Sequence, residues 1–165
     1  MKSLHRLFLL SVIVVSTCAT GLSAADFELR TLDGEPATLN DYVGKGQWTL
    51  VMLWATDCPV CKKQKPEISS FHNKHKNSDA NVIGIALDGY ENIDDIRAYL
   101  REHQPSFPSV VGDLALVAFN YQAVTEEPLL GTPTYLLFNP KGELIGNNAG
   151  PLRPEAIEIF IEGHS

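Results

Sequence analysis

Seven consecutive residues, Trp48-Thr49-Leu50-Val51-Met52-Leu53-Trp54, form a nearly unbroken apolar run. A run of that length without polar alternation suits a strand covered on both faces, as at the centre of an α/β sheet. A helix follows almost at once, from Pro59 to about Lys76. Pro59 opens it where a missing amide does no harm, and Ile68 and Phe71 stand three apart on one face. Pro66 predicts a bend, because it withdraws an interior amide. Between strand and helix stand Cys58-Pro59-Val60-Cys61, so two thiols meet a helix N-terminus.

The rest of the chain repeats the alternation. Asn81 to Leu87 reads as a second buried strand, and Asn92 to His103 as a helix with Ile93, Ile96, Tyr99 and Leu100 at helical spacing. A short strand is expected between Phe107 and Val111 and a short helix from Leu114 to Tyr121. Gly131-Thr132-Pro133-Thr134 opens a strand from Tyr135 to Phe138, Asn139-Pro140-Lys141-Gly142 turns the chain, and Glu143 to Gly146 returns. A helix from Pro154 to Glu162 closes it, with Ile157, Phe160 and Ile161 facing inward. Upstream, Phe27 to Leu32, the Asp33-Gly34 turn and Ala37-Thr38-Leu39 make a strand or hairpin lead-in. Such an order describes an α/β sandwich around a mixed sheet.

Lys2 and Arg6 precede an apolar run from Leu7 to Val15, and small residues continue to Ser23-Ala24-Ala25. Charge, apolar core and small residues in that order make residues 1–25 a secretory signal, cut near Ala25. An uncleaved anchor and a lipid-carrying Cys18 are the alternatives that the same segment allows. Residues 26–165 then form one domain. Removing residues 1–25 takes two cations and no acid, moving the formal charge from −7 to −9. An acidic chain of this kind argues against nucleic acid as the partner. Cleavage also removes Cys18, leaving Cys58 and Cys61 as the two thiols of an exported chain, which invites a redox reading.

Three readings of that pair can be weighed. With His72 and His75 it makes a nominal two-Cys, two-His metal set, but Cys61 and His72 would lie roughly 16 Å apart along a helix, beyond ligand reach. No metal or other cofactor is therefore expected, and the two histidines read as solvated residues on a Lys- and Asn-rich surface. As a structural staple the pair closes too small a ring to restrict the unfolded chain much. As a reagent it is well placed. Cys58 sits where unpaired amides and the helix dipole favour a thiolate, and Cys61, one turn inside, can attack a mixed disulfide formed there.

The segment Trp54-Ala55-Thr56-Asp57-Cys58-Pro59-Val60-Cys61-Lys62-Lys63-Gln64-Lys65-Pro66 resembles the active-site segment of the thioredoxin superfamily, in its exported TlpA/ResA-like redoxin branch. Phe27-x-Leu-x-Thr-Leu-Asp-Gly, Leu39-x-x-Tyr42-x-Gly44-Lys45, Gly131-Thr132-Pro133-Thr134 and Asn139-Pro140-Lys141-Gly142 extend the resemblance over nearly the whole mature chain. It implies a thioredoxin fold, a central mixed sheet flanked by helices with an N-terminal β-hairpin extension. It also implies Cys58 as nucleophile, Cys61 as resolving thiol and Pro133 in cis, with Trp54, Pro59, Val60, Thr132 and Pro133 around the substrate. A proline lacking its amide leaves the Thr132 backbone open to an extended substrate segment.

The function implied is reduction of protein disulfides in the periplasm, fed by a membrane-embedded electron donor, with cytochrome c maturation as its setting. A folding oxidase is less favoured, since Pro59-Val60 lacks the His of strongly oxidising relatives. Alternatives are a peroxidase, against which Ala55 stands where peroxiredoxins carry Thr or Ser, and a copper- or partner-binding module, against which the cysteine spacing is one residue short. Leu129 and Leu130, after Glu126-Glu127, are candidates for a partner-binding rim. Two departures from the family pattern bear on mechanism. Met52 replaces a buried strand Asp and Gln64 a Glu, so a base for Cys61 must come from water, Glu67 or Asp57.

Overall fold

The structure is a computed structural model that describes residues 27–164; the expected export signal lies outside the described residues. In chain order the elements are β1 (Glu28–Arg30), β2 (Pro36–Thr38), β3 (Trp48–Trp54), α1 (Pro59–His75), β4 (Ala80–Ala86), α2 (Ile93–His103), β5 (Ser109–Gly112), α3 (Leu114–Thr125), β6 (Thr134–Phe138), β7 (Leu144–Ala149) and α4 (Pro154–Glu162). Among the described residues, no helix is long and apolar enough to cross a membrane.

One mixed sheet runs in the order β2-β1-β5-β4-β3-β6-β7. The apolar run becomes β3, with all seven residues buried; it pairs parallel to β4 and antiparallel to β6. Side chains of a strand alternate between faces. Trp48, Leu50, Met52 and Trp54 accordingly join a core with Cys61, Ile68 and Phe71 of α1, Ile96 of α2 and Ile161 of α4. Val51 and Leu53 point the other way, into a core with Ile83, Ile85, Val117 and Tyr121 of α3, and Phe27, Leu29 and Leu39 of the lead-in. The lead-in is a hairpin, Glu28 opposite Thr38, and β1 also pairs antiparallel to β5.

Two elements outrun their expected ends. α3 continues to Thr125, because no breaker intervenes before Glu126, which ends the helix at φ 61° in the left-handed region. β7 continues to Ala149 along β6, past a register shift at Leu137/Phe138. Gly44 and Gly142 explain why two distant motifs both need glycine. A Cβ on Gly44 would lie 3.1 Å from the Lys141 carbonyl oxygen, and both glycines have positive φ, so two loops meet backbone to backbone.

His72 and His75 correct the sequence reading: they are buried, not solvated. The reason is the helical period. Cys61, Ile68 and Phe71 define the inward stripe of α1, and 64, 65, 72 and 75 lie on that stripe as well. Inside, the Val82 amide donates to His72 Nδ1 at 3.2 Å, while the two His75 ring nitrogens face Asp79 (2.8 Å) and Glu158 (3.1 Å).

Candidate active site

Cys58 is the N-cap of α1, and its Sγ accepts the Cys61 amide at 3.0 Å. A sulfur so placed meets the positive end of the helix dipole and a donor aimed at it, both of which favour an anion. The two sulfurs are joined in a disulfide, with Cα atoms 5.3 Å apart, within the usual span. Their exposures differ in a way that assigns access: Cys58 is 7 % exposed and Cys61 0 %. A sulfur arriving from solvent reaches Cys58 first.

Two other segments fix this corner. The Thr132 carbonyl oxygen lies 3.4 Å from Cys58 Sγ, and the Thr132–Pro133 peptide is cis. That loop is held from both sides, since Thr134 Oγ1 donates to the Gly131 carbonyl at 2.6 Å and the Gly150 amide donates to the Pro133 carbonyl at 2.8 Å. Ahead of Cys58, the Thr56 amide donates to Asp88 Oδ1 at 3.0 Å, and the Thr56 hydroxyl donates to the same carboxylate. Asp88 follows β4, so the end of that strand sets the path of the loop into Cys58.

Of the residues expected around a substrate, Pro59 and Val60 are exposed, Thr132 is half-buried, and Pro133 is buried beneath it. Trp54 lies deeper than these. It has no exposed surface, and its ring packs against Tyr99 at 5.1 Å, beneath the site. Leu130 is largely exposed, Leu129 is partly buried against the core, and a groove runs from them past Thr132 to Asp57 and Asp88.

Both departures from the family pattern acquire a physical meaning. Met52 is fully buried on the same face as the cysteine pair, so β3 places no titratable group there. Gln64 is buried and ties three elements together. Its Oε1 accepts the Leu152 amide at 2.6 Å and the Tyr135 hydroxyl at 3.2 Å, and its Nε2 donates to Glu67 Oε2 at 3.1 Å. Burial, with the Glu67 charge added, pushes the Tyr135 phenol well above its ordinary value, so it stays a donor. A neutral amide suits this position, since it is both acceptor and donor in one side chain. Glu67 and Asp57, the other two bases considered, are exposed.

Sequence reasoning passed over Lys65 and Asp88. Among the described residues, Lys65 is the one Lys, Arg, Asp or Glu that is buried, at 2 % exposure. Its Nζ lies 3.2 Å from the centre of the Trp54 ring and 4.7 Å from that of Tyr99. Burial lowers its pKa to about 7, with the Asp88 charge opposing. The signal for Lys65 was present: it stands four residues after Cys61 and three before Ile68, on the inward stripe. Asp88 had none, because only the fold brings it to Thr56.

The model of the AhpC/TSA family matches residues 20–146. The sporulation thiol-disulfide oxidoreductase A of Bacillus subtilis is 27% identical over 139 residues, covering 84% of this chain and 79% of that protein. The thiol-disulfide oxidoreductase ResA of Halalkalibacterium halodurans is 27% identical over 147 residues, covering 89% and 78%. Among solved structures, StoA from Bacillus subtilis superposes with a TM-score of 0.63 at 25% identity, covering 83% of this chain and 96% of that one. The thioredoxin domain of a Bacteroides vulgatus thiol-disulfide oxidoreductase gives 0.68 at 24%, covering 87% and 98%, and so shares the thioredoxin fold.

Proposed function

The chain belongs to the AhpC/TSA family, and on that premise we propose that it is an exported thiol-disulfide oxidoreductase that reduces protein disulfides through Cys58 and Cys61. The observation that carries this reading is the asymmetry of the pair: one sulfur at a helix N-terminus with an opening to solvent, the other sealed one turn inside. The activity named for the two curated relatives supports it.

The chemistry follows from that asymmetry. Starting from the dithiol, the Cys58 thiolate attacks one sulfur of a substrate disulfide; that bond breaks, and the departing substrate thiolate takes up a proton. A mixed disulfide now joins Cys58 to the substrate. Cys61, having lost its proton, attacks Cys58 Sγ, and the second substrate sulfur leaves and is protonated. The substrate has gained two electrons and two protons, and the protein is left as the Cys58–Cys61 disulfide seen in the structure. Thr132, beside Cys58 Sγ, offers its backbone to an extended substrate segment, with Pro59 and Val60 on the opposite lip.

Reduction in an oxidising compartment needs electrons from elsewhere, so a membrane-embedded donor regenerates the dithiol, and apocytochrome cysteines awaiting haem are the substrate class the resemblance favours. The N-terminal residues would direct export to the periplasm and, uncleaved or lipidated, would hold the domain at the membrane. The test is a Cys61→Ser variant of the full chain, reduced and then offered a disulfide-bonded protein. A mixed disulfide through Cys58 that persists until an added thiol releases it supports the reading. No adduct at Cys58, with the fold intact, rejects it.

A further inference from the structure

Every buried side-chain polar atom that lacks a hydrogen-bond partner among the described residues falls in one small volume: Trp54 Nε1, Lys65 Nζ, Tyr99 Oη and Ser109 Oγ. Lys65 Nζ lies over the Trp54 and Tyr99 rings, those rings pack on each other, and a Cβ placed on Gly84 would come within 2.7 Å of Ser109 Oγ and 2.9 Å of Trp54 Nε1. Two of the four, Lys and Trp, can only donate when the lysine is charged. A buried ammonium with unused donors beside it stabilises an anion nearby.

The anion available is a cysteine thiolate. Cys61 and Lys65 are one turn apart on the same buried stripe of α1, and a helical side chain leans toward the N-terminus, which for Lys65 is toward Cys61. Ionising Cys61 in an apolar interior is unfavourable unless a cation accompanies it. Met52 and Gln64 supply no titratable group, and Glu67 and Asp57 lie outside. The groups that face Lys65 are Trp54 from β3, Tyr99 from α2 and Asp88 from the segment after β4, and Cys61 stands one turn before it on the buried stripe of its own helix. Asp88 is already engaged by Thr56.

We propose that Lys65 is the charge partner of Cys61 in the exchange reaction, holding inside the domain the proton that Cys61 must give up before it resolves the mixed disulfide. The Cys61 thiol passes its proton to the Lys65 amine, giving thiolate and ammonium; the thiolate attacks Cys58 Sγ; the Cys58–substrate bond breaks; and the leaving sulfur is protonated as Lys65 gives its proton back through solvent. A lysine that titrates near neutrality serves in both directions, as an amine that accepts and an ammonium that attracts. The two ring faces keep the cation in place without consuming its protons in fixed hydrogen bonds.

This inference rests on the exchange reading, but its test does not require a substrate. In the reduced full-length chain, NMR of the Cys61 Cβ against pH reports thiolate formation, and the Lys65 Cε reports the ammonium. Lys65→Met should raise the Cys61 titration by about one pH unit or more, a tenfold loss of thiolate at a given pH. In the unmodified chain, the Lys65 titration should move between the disulfide and dithiol forms, since two coupled groups share their protons. A Cys61 titration unchanged in Lys65→Met, or a Lys65 titration identical in both redox forms, overturns the proposal. The second measurement decides alone if the variant does not fold. A chain that shows this coupling yet reduces no protein disulfide would reject the proposed function and leave the coupling standing.

Discussion

The two ends of helix α1 both bury polar side chains, and they treat them in opposite ways. At the C-terminal end, His75 lies between Asp79 and Glu158, and His72 accepts the Val82 amide, so each ring is met by protein partners. At the N-terminal end Gln64 is satisfied too, but Lys65, Trp54 and Tyr99 bury polar atoms without such partners, and the cysteine pair belongs to the same core. Satisfied networks rigidify, whereas unsatisfied polar groups are unfavourable and tend to persist where a site uses them. One end of the helix anchors it to β4 and α4; the other is left free to change charge.

Variants that act on one end only separate these roles. The largest effect should be at the reactive end, where Cys61→Ala lowers the turnover of a protein disulfide on the order of 10³-fold or more with the fold retained, as loss of a member of a concerted pair does. Gln64→Leu, at the reactive end between Cys61 and Lys65, leaves the Leu152 amide and Tyr135 hydroxyl unpaired and should lower stability by about 1–3 kcal/mol. At the anchoring end, His75→Ala removes one partner each from Asp79 and Glu158, which keep Ser78 and Lys74, and should lower stability by roughly 1–2 kcal/mol, read by urea unfolding, while exchange per folded molecule changes less than about twofold. Lys65→Met should raise stability near pH 6 by roughly 1 kcal/mol or more, as buried charges replaced by apolar side chains often do. Smallest is Lys62→Ala. Its contact with Glu102 is 3.9 Å between largely exposed side chains, and its loss should change stability by less than about 0.5 kcal/mol.

pH should expose the same contrast with opposite signs. A hydrogen bond from His75 holds the Asp79 carboxyl below its ordinary value, and hydrogen bonds from Lys74 and His75 do so for Glu158. A carboxylate lowered in the folded state contributes stability that is complete above its ordinary value, 3.8 for Asp79 and 4.5 for Glu158, and is lost as pH falls below it. Lys65 is lowered from 10.5 to about 7, so between those values the unfolded chain binds the extra proton and stability rises with pH. The stabilisation by Lys65→Met should therefore shrink from pH 7 to pH 10, while that network weakens only in acid. Unfolding titrations of both proteins across that range check each sign.

Much of this was legible before the fold was known. Trp48 to Trp54 reads as a covered strand because burial on both faces leaves no alternation, and Cys58-x-x-Cys61 at a strand-to-helix junction reads as a reagent because the helix end favours its thiolate. What was misread lies on the inner stripe of α1. Residue type suggested solvent for His72 and His75 and passed over Lys65, while the period shared with Ile68 and Phe71 put all three inside. The burial of Trp54 was legible too, since its parity with Met52 and Leu50 turns it into the core. Asp88 became visible only when β4 placed it against Thr56, a contact 32 residues apart in the chain.

The most direct test of the whole reading is the equilibrium reduction potential of the Cys58/Cys61 pair, set against glutathione and read by thiol alkylation. A reductant of protein disulfides should sit near the value of thioredoxin, around −270 mV. A value near −120 mV would contradict it, marking the pair as an oxidant of folding proteins.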